Sequence, residues 1–293
     1  MKKNSIILSV ILLSVLISAF RLDSPYESEI KSWQQKRIEG LKSENGWLNL
    51  AGLIWLEEGE NTIGGDAKNK IVFPSDHSDA NLGKIILKDG KVTFEAYNNT
   101  SVYNGEQPVN QTILFPYEGR PVVLKHKSLR WFIIKRGEQY AIRLRDLESP
   151  ILKEFKGINT FPISENWRIK AKFVPTQGKK LKITDITGRT YEQDSPGKLV
   201  FTVDGKEYSL DATSSGNDLS LVFGDLTNQH DSYGGGRFLE VPKPDADGFT
   251  YIDFNKAYNP PCAFTPYATC PLPTPDNKLK VAILAGEKRY GNH

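Results

Sequence analysis

Residues 83–97 read GKIILKDGKVTFEAY. Ile85, Leu87, Val92 and Phe94 alternate with polar neighbours on both sides of Asp89-Gly90. A period of two predicts strands, and Asp-Gly supplies the positive φ angles of a tight type I′ turn. The stretch is therefore expected to be a β-hairpin. The pattern recurs. SLRWFIIKRGEQYAIRLRD, residues 128–146, turns near Gly137, and KLVFTVDGKEYSLDA, residues 198–212, turns at Asp204-Gly205. Asn104-Gly105 marks a further turn. Short strands at this spacing, with no alternation of strand and helix, predict a mainly β fold of antiparallel curled sheets, sandwich or barrel-like.

One helix is expected ahead of the strands. In SPYESEIKSWQQKRIEGLKSENG, residues 24–46, Ser24 and Glu27 form a capping box and Pro25 suits the first helical position. Tyr26, Ile30, Trp33, Ile38 and Leu41 recur at helical spacing, so the helix is amphipathic, and Asn45-Gly46 should stop it. The expected organisation is a signal segment over 1–20, a helix within 21–46, a first β subdomain over 47–160 and a second over 161–293. The joint falls in the Gly- and Pro-interrupted stretch from Glu154 to Trp167.

The signal reading rests on Lys2 and Lys3 followed by an uncharged run from Asn4 to Phe20. Ser18-Ala19-Phe20 is an imperfect cleavage site, so an uncleaved anchor is the alternative, and with it the expected contact with a membrane. No cysteine follows the run to carry a lipid. An exported protein of the periplasm or cell envelope is expected. Without Lys2 and Lys3 the 38 basic residues become 36, against 35 acidic ones. A net charge near +1 gives no reason to expect nucleic acid as a partner. Hydrophobic content of 39% with 25% charged residues fits a folded chain.

His77, His126, His230 and His293 are scattered, and no metal site is expected from them. No nucleophile elbow of the Gly-x-Ser-x-Gly type occurs. The chemistry-bearing residues gather near the carboxyl terminus. Tyr233 and Arg237 flank Gly234, Gly235 and Gly236, where bare backbone amides beside a planar cation suit a carboxylate or phosphate. A flexible hairpin tip is the plainer alternative. Tyr251, Asp253 and Asn255 share one strand face, and Tyr258 and Asn259 follow. Phe238–Val241 and Thr250–Phe254 are expected to pair as a hairpin, bringing Arg237 beside Asp253, with Glu287 arriving from the last strand. Pro260, Pro261, Pro266, Pro271, Pro273 and Pro275 stiffen the segment between them. Cys262 and Cys270 lie in it, separated by seven residues. For an exported chain a disulfide is expected, with a soft-metal or redox role and two unlinked thiols as alternatives.

The run YGGGRFLEV, residues 233–241, with DFNKAYNPPCAFTPYATCPLPTPDNKLKVAILAGEK, residues 253–288, resembles the DUF1684 family of uncharacterised prokaryotic proteins. Gly46–Gly64 and Phe155–Pro175 resemble that family's amino-terminal and middle blocks. Before the Tyr-Gly-Gly-Gly-Arg run the family more often has Thr, where this chain has Ser232. The resemblance implies no established activity.

Two functions are expected from these residues. In the first, a small-molecule-binding protein or acid–base enzyme, hydrolase-like, uses a pocket lined by Tyr233, Arg237, Asp253, Asn255, Tyr258, Asn259 and Glu287. Asp253 or Glu287 would be the base and Arg237 the stabiliser of negative charge. In the second, the same block is a folding clamp of a non-catalytic structural or interaction protein of the envelope. No cofactor is indicated by the sequence.

Overall fold

A computed structural model describes residues 23–98 and 100–291. The segment read as a signal, and His293, lie outside the described residues. The protein is mainly β, with antiparallel curled sheets and one long amino-terminal helix.

The helix, α1, spans Pro25–Lys42. Ser24 Oγ accepts from the Glu27 N–H at 3.1 Å, and Glu27 Oε2 accepts from the Ser24 N–H at 3.1 Å, the reciprocal cap its sequence predicts. The helix ends three residues before Asn45, with Ser43 as its C-cap. Tyr26, Ile30 and Leu41 are its buried residues.

The expected turns at Asp89-Gly90, Gly137 and Asp204-Gly205 join paired antiparallel strands. Asp89 and Gly90 have φ of 49° and 76°, and Asp204 and Gly205 have 48° and 73°. Two β bodies result. The first has a six-stranded sheet containing Leu50–Trp55, Gln139–Asp146 and Leu129–Arg136 in that order. A five-stranded sheet containing Gly59–Gly64, Gly83–Lys88 and Lys91–Ala96 packs against it. Trp131 fills the space between them, with edge-on contacts to Phe73 and Phe94.

The second body is a six-stranded sheet in the order Arg237–Pro242, Asp218–Phe223, Lys206–Ser215, Gly197–Val203, Arg168–Pro175, Phe249–Asp253. It curls until its two edge strands meet, where Thr250 Oγ1 donates to the Pro242 carbonyl at 2.8 Å. The body is thus a nearly closed barrel. This corrects the expected hairpin of residues 238–241 with 250–254. Phe249–Asp253 pairs with Arg168–Pro175, and Arg237–Pro242 pairs with Asp218–Phe223. Two strands adjacent in sequence, joined by a short loop, are opposite edges of one sheet.

Leu199, Phe201, Leu221, Phe223 and Ile252 fill the barrel, and Phe254, Ala257, Ile283 and Ala285 complete its core. Beyond Asp253 the chain has short 3₁₀ turns and isolated bridges. Glu287 sits in a single bridge with Thr160, not in the strand expected there. Phe254 is fully buried, with ring centroids 5.4 Å from Phe223, 5.7 Å from Phe201 and 6.3 Å from Trp167. Phe254→Ala is expected to cost about 3–5 kcal/mol, read by urea unfolding. A loss under about 1 kcal/mol would contradict this packing.

Candidate functional site

Residues placed together in the sequence reading fall into three groups, and each is held by partners the sequence did not announce. Arg237 is the first. Its guanidinium is fully buried between the rings of Phe223 and Phe161, 5.4 and 5.8 Å from their centroids. Nη2 donates to Asp225 Oδ2 at 2.7 Å and to the Ile283 carbonyl at 2.9 Å, and Nη1 donates to the Ala285 carbonyl. The ion-pair partner is therefore Asp225, not Asp253 as expected. Burial pushes the guanidinium below its ordinary pKa, and the Asp225 charge works against that shift. Asp225 Oδ1 in turn accepts from the N–H groups of Thr227 and Ile283 and from Thr227 Oγ1.

Asp253 and Asn255 form the second group, beneath α1. Tyr26 Oη donates to Asp253 Oδ1 at 2.8 Å, and Asn255 Nδ2 donates to Tyr26 Oη at 2.9 Å. Asn255 also pairs with the backbone of Ser164 through both ends of its amide. Burial and the Asp253 carboxylate raise the Tyr26 phenol far above its ordinary pKa. Next door, Lys256 Nζ reaches Glu29 Oε1 of the helix at 2.6 Å.

The third group surrounds Arg37 of α1. Arg37 Nε donates to Glu287 Oε1 at 3.1 Å, and Nη2 donates to the Asn259 carbonyl at 2.9 Å. Its guanidinium lies 4.6 Å from the centre of the Tyr258 ring. Glu287 Oε2 accepts from the Asn259 N–H at 2.7 Å. Burial pushes the Glu287 carboxyl above its ordinary range while Arg37 pulls it down. Burial also raises the Tyr258 phenol. Gly286 makes this junction possible. Its φ is +79°, and a Cβ there would lie 2.5 Å from the Ala257 carbonyl oxygen.

The carboxylates of these groups are engaged within the chain, while Arg237 Nε and Asn259 Oδ1 are buried without a partner among the described residues. The Asp253 and Glu287 carboxylates accept from neighbours within the chain, and Arg237 has no solvent-facing surface. The polar row and Glu287 dock α1 onto the barrel. The rigid proline segment is closed by a Cys262–Cys270 disulfide with Cα atoms 6.1 Å apart. Among the described residues no group of three or more His, Cys, Asp or Glu is arranged to hold a metal ion.

An open groove lies elsewhere, on the outer side of the glycine run. It has a volume of about 450 Å³ and is walled by Gly234, Gly235 and Gly236 on one side and by Pro273, Lys278 and Lys280 on the other. Asp225 lies at its base, already paired with Arg237. Among the described residues the N–H groups of Gly234 and Gly235 donate to no acceptor in the chain. Gly236 has φ +88°, and a Cβ there would lie 2.5 Å from Pro273 Cγ. Of the residues chosen from sequence, only the three glycines face this groove. Asp225, Arg37, Lys278 and Lys280 were missed. Asp225 followed by Thr227 is an Asx-turn pattern and was the one readable signal.

Arg237→Lys is expected to lower the melting temperature, because an ammonium cannot reach Asp225 and two carbonyls in one plane. Breaking a buried pair costs about 3–5 kcal/mol, measurable by chemical denaturation. An unchanged stability would contradict the clamp.

Residues 153–288 match the model of a family described as "Protein of unknown function (DUF1684)". Gly46–Gly64, which resembled that family's amino-terminal block, lies outside the matched residues. No curated protein matches the chain. Among solved structures, the chain is similar to an uncharacterized protein of Haloarcula marismortui determined by NMR. Identity is 29% over 48% of this chain and 80% of that one, with a TM-score of 0.40. It also matches a structure described as an analysis of phosphothreonine-dependent FHA domain interactions. There identity is 18% over 32% of this chain and 92% of that one, with a TM-score of 0.22. Over residues 153–288 the chain is thus similar to the DUF1684 family of proteins of unknown function, which supports the resemblance read from its sequence.

Proposed function

We propose that this is an exported, small-molecule-binding protein of the cell envelope, whose ligand presents an anionic group to the groove beside Gly234–Gly236. The observation that carries the reading is the groove itself. Two exposed lysines, Lys278 and Lys280, face backbone amides of Gly234 and Gly235 that have no acceptor in the chain. Successive free N–H groups and cations favour a phosphate or carboxylate. Leu226, Leu272 and Leu279 add apolar surface for the rest of the ligand.

The acid–base alternative loses support because its two proposed bases, Asp253 and Glu287, are occupied in docking α1. The clamp reading gains support from the same contacts, and it accounts for the polar row without a substrate. Export is supported by the basic and apolar opening segment and by the disulfide, which persists in an oxidising compartment. No helix among the described residues is long and apolar enough to cross a membrane.

The test is a thermal-shift and calorimetric screen of phosphorylated, carboxylated and neutral small molecules. A true ligand at about 100 times its Kd adds about 2.7 kcal/mol, or roughly 5–10 °C in a chain of this size. Lys278→Glu with Lys280→Glu should abolish that rise and leave the ligand-free melting temperature within about 2 °C. Binding confined to neutral molecules, or unaffected by the two changes, would refute the reading.

A further inference from the structure

Four arginines gather on one face of the first β body, on residues the groove does not use. The strands Leu129–Arg136 and Gln139–Asp146 pair with Arg130 opposite Arg145 and Phe132 opposite Arg143. Trp131, Ile133, Ile142 and Leu144 point into the first core. By the two-residue period of a strand, Arg130, Arg136, Arg143 and Arg145 share the outer face. Four cations on one sheet face repel one another, and like charges directly opposite destabilise a pair of strands.

Only one of the four forms an ion pair, and the same Glu44 carboxylate also acts on Arg145. Arg130 pairs with Glu44 at 2.9 Å. Among the described residues no carboxylate lies within 4.0 Å of Arg136, Arg143 or Arg145; the other arginines in ion pairs are Arg37, Arg189 and Arg237. Yet Arg143 and Arg145 are only 6% and 8% exposed. The covering layer offers backbone instead of charge. Arg143 Nη1 donates to the Tyr267 carbonyl in the disulfide loop, and Arg145 Nη1 donates to the Gly46 carbonyl and to Asn49 Oδ1. Arg145 Nε is buried with no partner. Burial, together with the charges of Arg136 and Arg145, pushes the Arg143 guanidinium down to about 10. Buried charges are ordinarily paired, because an uncompensated ion pays a desolvation penalty of several kcal/mol.

The missing partner is an anion from outside the chain. We propose that the seam between the two β bodies binds the phosphate or carboxylate group of a small ligand, held by Arg143 and Arg136. Arg143 offers a planar fork of donors of which one is used within the chain, the geometry that suits a bidentate oxyanion. The seam opens to solvent at Arg136, which is half-buried, and at Tyr267, which is 36% exposed.

The experiment uses the full chain with its disulfide intact. Melting temperature is followed against inorganic phosphate, malonate and sodium chloride at matched ionic strength, with calorimetry to count sites. Phosphate or malonate should raise the melting temperature by roughly 2 °C or more beyond chloride, and the larger rise identifies the oxyanion class. Lys278→Gln with Lys280→Gln, which disables the groove, should leave a rise of its own, which separates this site from the groove. In that background Arg143→Gln should abolish the remaining rise, while in chloride alone it should melt at or above its lysine-variant parent, since it removes a buried charge with no carboxylate partner. If Arg143→Gln does not fold, Arg136→Gln, at a half-buried position, should weaken anion binding at least about fivefold. Arg143 is a structural donor only, and the proposal is overturned, if Arg143→Gln melts lower by the same amount in chloride and in phosphate. It is equally overturned if neither anion raises the parent's melting temperature, or if the rise disappears in the lysine variant or survives in both arginine variants.

Discussion

A guanidinium with no access to water holds the carboxyl-terminal half together. Arg237 begins an edge strand of the barrel, and its three acceptors come from a loop at Asp225 and from the terminal segment at Ile283 and Ala285. Neither of those segments has a ladder of its own to hold it. Removing a charge from water is costly, and aligned acceptors for both Nη atoms offset that cost. Here the acceptors are two backbone carbonyls and a carboxylate that is itself fixed by three further donors. The network specifies one loop geometry, with Arg237 Nε as its one buried donor without a partner among the described residues.

The same logic extends to α1. Residues 254–291 contain short turns and single bridges, so backbone pairing contributes little order there. Prolines and the Cys262–Cys270 bond reduce what the unfolded chain has to give up. Side-chain amides then do what strands do elsewhere. Asn255 spans Tyr26 and Ser164, Asn259 Nδ2 donates to the Lys288 carbonyl while its backbone N–H donates to Glu287, and Asn277 caps Asp211 and Val222. The helix lies over this framework with Arg37 stacked on Tyr258 and bonded to Glu287. A row of polar residues on one strand face, which in sequence suggests a cleft, is here the docking surface of a helix more than two hundred residues away in the chain.

That distance explains what the sequence could and could not disclose. The hairpins at Asp89-Gly90, Gly137 and Asp204-Gly205 were legible because turn chemistry and strand alternation are local. The cap of α1 was legible for the same reason. The pairing of the barrel's edges was not, because curling a sheet is a property of its twist and not of the loop joining two strands. The short loop after Pro242 favoured a hairpin, and the sheet overrode it. Choosing Asp253 over Asp225 as the partner of Arg237 followed directly from that hairpin. Tyr26, Asp253, Asn255, Tyr258, Asn259 and Glu287, which dock α1, were named from sequence, whereas Arg37 and the Lys256–Glu29 pair were not, and a charged residue's position on a helix gave no hint of such a role. The glycine run lines the groove, and Arg237, read with it as one site, does not.

Charge satisfaction therefore separates the structural from the available parts of this molecule. Asp225, Asp253 and Glu287 are each met by donors in the chain, and a group so engaged has little capacity left for a substrate. The amides of Gly234 and Gly235 meet no acceptor in the chain, and Arg136, Arg143 and Arg145 meet backbone carbonyls and an amide oxygen but no carboxylate within 4.0 Å among the described residues. The satisfied carboxylates lie at the junctions that close the fold. The unsatisfied donors lie at a groove and a seam that reach solvent. An excess of unpaired donors at two openings, in a chain whose total charge is nearly balanced, places the demand for anions locally and not over the surface as a whole. That favours compact anionic ligands over a polyanion, whose binding would need a broad positive face.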